Sequence, residues 1–156
     1  MEAPENQLKY ENYKEQIKRL NSAISHGFNL EAMFIEYAII EDRTESILRH
    51  AEKWDAYLKK RNGRSPTLNS KVNYIQKLAA INNDLLHKYF ADDLLGEVLG
   101  WKDDRNRLIH ALLDQQFKHN ELSSLAMQGK QLVNELRKRA GNYNRAIERR
   151  KAKDLL

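Results

Sequence analysis

Residues 30–58 read LEAMFIEYAIIEDRTESILRHAEKWDAYL. Within this stretch Leu30, Met33, Tyr37, Ile40, Thr44, Ile47, Ala51, Trp54 and Leu58 follow one another at alternating intervals of three and four. A period of about 3.5 is the mark of a helix packed at a shallow angle along its neighbours. Phe34 and Leu48 widen the apolar stripe on one flank. The pattern predicts one helix of about 30 residues, ~45 Å long, as the spine of an all-α bundle or of a dimer.

Working outward, helical periodicity continues in both directions and strand alternation is scarcely visible. A first helix is expected from about Asn6 to Ser25 on Leu8, Ile17, Leu20 and Ile24, ended by His26-Gly27-Phe28. Asn29 is a fair cap for the next helix. After the spine, Lys59 to Ser70 (KKRNGRSPTLNS) reads as a basic loop. Shorter helices are expected over about Asn69–Ile81 and Asn83–Phe90, then one starting at Asp92 or Asp93. Gly100 marks either a break or a kink, with Asp103 or Asp104 capping a further helix through Leu108, Ile109, Leu112 and Leu113. A last helix starts near Asn120 and runs on Leu122, Leu125, Leu132, Leu136, Tyr143 and Ile147. The expected organisation is one all-α domain over residues 1–156, frayed over 1–5 and from about 150.

Composition agrees with one domain. A chain of 156 residues, 41% hydrophobic, is long enough to bury a real core. With no cysteine, disulfides, thiolate metal sites and a Cys nucleophile are excluded. No apolar run approaches the ~18–20 residues of a membrane span. The N-terminus lacks the basic and apolar regions of a secretory signal, so a cytoplasmic protein is expected. The net charge of +5 fits either a polyanionic partner or an ordinary mixed surface.

Phosphate-binding glycine loops, His-Glu-x-x-His and EF-hand patterns are absent from the sequence. His110 and Asp114 are spaced to share either a metal or a hydrogen bond. The informative segment is Trp101-Lys-Asp-Asp-Arg105-Asn106-Arg107-Leu108-Ile109-His110. Arg19 and His26, Arg43 and His50, and Arg105 and His110 all lie five to seven places apart. Only Arg105 is followed by a polar Asn, Asp or His, for which the chance expectation is ~0.2 occurrences in such a chain. This segment resembles the signature of the HEPN superfamily: Arg, often with a polar residue directly after it, then His with four to six residues between Arg and His. The resemblance implies a HEPN-like bundle with long antiparallel helices, usually homodimeric. It also implies a ribonuclease that needs no metal or cofactor. A toxin or antiphage effector, held in check by a cognate antitoxin or nucleotidyltransferase partner, would be in keeping with it.

Helix geometry adds its own constraint. Arg105 and His110 sit ~140° apart on a straight helix, whereas Asn106 and His110 lie within ~40°. An amide at 106 can therefore fix the imidazole tautomer, while Arg105 reaches phosphate by its length or across a dimer axis. If Asp103 is a cap, Arg105 also lies beside free backbone N–H groups that favour an anion. RNA supplies its own 2′-hydroxyl nucleophile. The resemblance makes Arg105, Asn106 and His110 the candidate catalytic residues, with His110 as the acid–base group; on the residues alone, His110 reads equally as a half-buried His at a helix contact. Glu41 interrupts an apolar flank of the spine, and either orients Arg105 or reaches water at the core rim. The tail Arg137–Lys153 carries eight Lys or Arg against one Glu. It is either an RNA-backbone contact or a solvated helix end. Arg107, Arg145, Arg149 and Arg150 are the candidate RNA-binding residues.

Overall fold

The computed structural model describes residues 2–81, 84–114 and 118–155, with side chains from residue 7 onward. Among these residues there are seven helices and no strand. They are α1 (Glu2–Ser25), α2 (Asn29–His50), α3 (Trp54–Arg61), α4 (Leu68–Ala79), α5 (Leu85–Phe90), α6 (Leu94–His110) and α7 (His119–Asp154). The all-α bundle expected from the periodicity is the fold. Of the expected helix Asn83–Phe90, Asn83 lies outside the described residues. No helix is long and apolar enough to cross a membrane among the described residues.

The 30-residue spine is two helices. The chain leaves α2 through a left-handed Glu52 (φ +57°). Lys53 N–H donates to Leu48 O at 2.9 Å and Glu52 N–H to Arg49 O at 3.0 Å. This is the Schellman pattern of a helix end, made here without glycine. In α3 it is Tyr57, outside the 3,4 seam, that is buried against the core, while the seam's own Leu58 is exposed. Gly27 (φ +73°) closes α1 in the same way, with Phe28 N–H donating to Ala23 O. At the start of α4, Thr67 and Ser70 form a reciprocal capping box, each satisfying an orphan N–H of the first turn.

Gly100 neither breaks nor ends a helix, since α6 runs through it. Leu95, Val98, Trp101 and Leu108 form a continuous buried face along α6. Trp101 Nε1–H is tied to Leu125 O of α7 at 2.9 Å. That anchoring outweighs the roughly 1 kcal/mol helix penalty of one glycine. Asp103 and Asp104 are therefore exposed mid-helix residues rather than caps. Asp103 pairs with Lys102 and Asp104 with Arg107.

Side-chain pairings give the directions of the helices. Residues 26–28 alone join α1 to α2, and Lys9 and Tyr13 from the first half of α1 meet Asp42 and Arg43 from the second half of α2, so the two helices are antiparallel. By contrast α2 and α7 are parallel. Glu36 faces Gly129, Arg43 and Arg137 share the Tyr13 ring, Ser46 meets Asn144, and Glu52 meets Lys151. The segment from Asp84 to Leu108 returns along α7 in the opposite sense. Asp84 pairs with Arg150, Asp92 with Arg139, and Trp101 with Leu125. Core packing is densest between α2 and α7, where Met33, Ile40 and Ile47 join Val133, Leu136 and Ala140. Each large aliphatic side chain so buried contributes about 1.5–3 kcal/mol.

Candidate active site on α6

Arg105 lies in the body of α6, so no free backbone N–H of a helix start surrounds it. Its guanidinium lies over the ring of Tyr37 from α2, 4.5 Å from the centroid. One terminal nitrogen, Nη1, donates to Asn106 Oδ1 at 3.0 Å. Its Nε is shielded from water and has no partner among the described residues. The stack and the amide hold the planar fork, and a cation on a phenol ring contributes ~0.5–2 kcal/mol according to its solvation. The remaining terminal N–H groups suit a tetrahedral oxyanion.

Tyr37 has a second neighbour. Burial raises the pKa of its hydroxyl, and the nearby Glu41 carboxylate raises it further, against the opposing pull of Arg105. Glu41 does not bond Arg105 directly. Its carboxylate pairs with Lys71 of α4 at 3.7 Å, and Lys71 Nζ donates to the Glu41 backbone carbonyl at 2.9 Å. Lys71 is nearly sequestered, and burial lowers its pKa against the pull of Glu41. Beside it, Lys102 of α6 donates to Asn69 Oδ1 at 3.1 Å. A line of alternating charge thus runs from Lys71 through Glu41 and Tyr37 to Arg105.

His110 is the last residue of α6 and is exposed. It shares a face with Asn106, yet among the described residues no hydrogen bond joins them. The Asn106 amide oxygen is engaged by Arg105 instead. Arg105 and Asn106 are thus brought together, with His110 one turn beyond. Among the described residues there is no group of three or more potential metal ligands.

The candidate RNA-binding arginines separate. Arg107 is exposed and pairs with Asp104 at 3.8 Å. Arg150 pairs with Asp84 at 3.8 Å, and Arg149 is exposed. Arg145 lines a different cleft, between α7 and α1. Lys71 is an addition, and Tyr37, a seam residue by its spacing, acquires a place in the site that the motif does not show. For Tyr37 a signal existed, since it stands four residues before Glu41 and shares its helix face.

The carboxylate that is truly buried is Glu36, not Glu41. Glu36 is fully enclosed, both its oxygens lack a partner among the described residues, and burial pushes its pKa up to about 9 despite the nearby Lys130. No family model matches the chain, and comparison with curated proteins and with solved structures likewise finds no match.

Proposed function

We propose that the chain is a metal-independent endoribonuclease of HEPN type. The observation that carries this reading is the guanidinium of Arg105, fixed between Tyr37 and Asn106 one turn before His110. In the proposed reaction a substrate 2′-oxygen attacks the adjacent phosphorus and the 5′-oxygen leaves. The products are a 2′,3′-cyclic phosphate and a 5′-hydroxyl. His110 accepts the 2′-hydroxyl proton, and Arg105 stabilises the charge gathering on the phosphoryl oxygens. The leaving oxygen needs a proton as well. A homodimer in which two α6 helices meet would supply it from the second copy's imidazole. A toxin or antiphage role, checked by an antitoxin or nucleotidyltransferase partner, goes with this reading.

The test is cleavage of single-stranded RNA by purified protein in excess EDTA, with mass analysis of the new ends. Cyclic phosphate ends are expected. Ends bearing a plain 3′-hydroxyl, or cleavage that EDTA abolishes, would overturn the mechanism.

A second reading rests on the freedom of His110, whose ring no described residue fixes. It is a non-catalytic helical module that binds RNA, nucleotides or another protein through the same Arg105 site. It predicts binding without cleavage.

A further inference from the structure

On a different face of α2 from Tyr37, residues of α1, α2 and α7 line a cleft of about 830 Å³. Arg43, the α2 residue that lines it, is turned ~120° from position 37 around the helix. Along α1 the cleft is lined by Lys9, Tyr10, Tyr13, Lys14, Ile17, Lys18 and Asn21. Arg43 closes its floor, and Arg137 and Arg145 form the α7 wall. Six of these ten residues are cations and none is acidic. Among the described residues, Asp42 is the one carboxylate that pairs with any of them, holding Lys9 and Arg43.

The aromatic residues are placed to match. Tyr13 carries Arg43 on its ring at 5.0 Å and Arg137 at 5.8 Å. Its hydroxyl is shielded from solvent, and Arg43 is the cation beside it. Tyr10 is 62% exposed at the rim, with Lys14 Nζ 5.2 Å from its ring centre. From Lys9 to Asn21 the α1 wall extends ~18 Å.

We propose that this cleft binds a single-stranded polynucleotide. Cations spaced along a trough neutralise successive phosphates, and an exposed phenol ring stacks on a base that is not already paired. A duplex offers no such base face. An acidic peptide would satisfy the cations but would leave Tyr10 without a stacking partner. The site is distinct from the Arg105 centre, and its occupation does not depend on cleavage there.

The probe is a fluorescein-labelled 2′-O-methyl oligouridylate of 12 nucleotides, which has no free 2′-hydroxyl within the strand and is not cleaved. Binding is followed by anisotropy over a range of salt. Lys14→Ala with Arg145→Ala should flatten the log–log salt slope by up to about 1.4, at ~0.7 per phosphate contact. Tyr10→Ala should weaken binding about tenfold or more. Lys59→Ala with Lys77→Ala removes the same charge from α3 and α4, and should leave the slope unchanged. A matching oligodeoxythymidylate shows whether RNA or DNA is the better source of this chemistry, and tighter binding of either supports the cleft. Equal losses from the two lysine- and arginine-removing pairs, an unaffected Tyr10→Ala variant, or equally tight binding of duplex would overturn the assignment. Because the strand cannot react, absence of ribonuclease activity leaves this result intact.

Discussion

Gly129 stands directly against Glu36. A methyl group built on Gly129 would overlap Glu36 Oε1 and lie 2.8 Å from Trp101 Cζ2. The glycine thus makes room in α7 for a carboxyl group from α2 and an indole from α6, and the closeness of the three helices depends on it. That closeness excludes water from Glu36 and is why its acid form is favoured.

Stability should therefore depend on pH through Glu36. Its pKa is about 9 in the fold against 4.5 as a free group. The folded state holds a proton that the unfolded chain releases, so stability falls as pH rises above 4.5 and levels off near 9. By pH 7 the loss from this group is about 3 kcal/mol. Glu36→Gln should remove most of that slope and be the more stable protein at pH 8. Urea unfolding at several pH values checks it, and parallel curves for the two proteins would refute the buried-acid account.

Glu52 provides a test of the interrupted spine. It occupies the left-handed position at which glycine is free of strain. Its pair with Lys151 is exposed, at 3.5 Å, and contributes little. Glu52→Gly should stabilise the protein by about 1 kcal/mol. A variant less stable than the parent would show that the chain does not turn there.

His110→Ala should lower RNA cleavage by roughly 10²-fold or more while leaving the helical circular dichroism unchanged. Arg105→Lys should also lower it, by about tenfold, because an ammonium keeps the charge but neither the planar stack on Tyr37 nor the fork. Single-turnover rates measure both. A fully active His110→Ala protein would remove the imidazole from the mechanism.

Dilution tests the composite site. With Arg105 and His110 ~140° apart on α6, one protomer makes a shallow phosphate pocket, and two copies would be needed for two imidazoles. Specific activity should fall once the protein is diluted below its dimer dissociation constant, as followed by sedimentation. Turnover proportional to concentration throughout, from a monomer, would place the whole reaction on one chain.

The helices were legible because their apolar period is local, and Leu20, Leu95, Leu125 and Tyr143 bury as that period requires. Phe34 was misleading: its spacing suits the stripe, yet it is 70% exposed. The turn at residues 51–53 was hidden because Ala51-Glu52-Lys53 contains neither Gly nor Pro. Glu36 lies three residues after Met33 and four before Ile40, and a carboxylate at a core position carries no signal of burial in the sequence. Both it and Tyr37 fit the seam's spacing, so spacing does not distinguish them. Arg105 and Asn106 are neighbours in the chain and were readable together. The Tyr37 ring beneath Arg105 arrives from almost seventy residues earlier, and no local pattern predicts such a meeting.

The parallel pairing of α2 with α7 also bears on how the protein is made. The two helices that share most of the core are separated by about ninety residues, and at ~5–20 residues per second the ribosome takes several seconds to cover that interval. Throughout it, Met33, Ile40 and Ile47 have no α7 to cover them. The nascent chain therefore emerges with its most apolar helix face waiting for the last helix. Until Val133 and Leu136 are released, that face is the natural target for a holding chaperone.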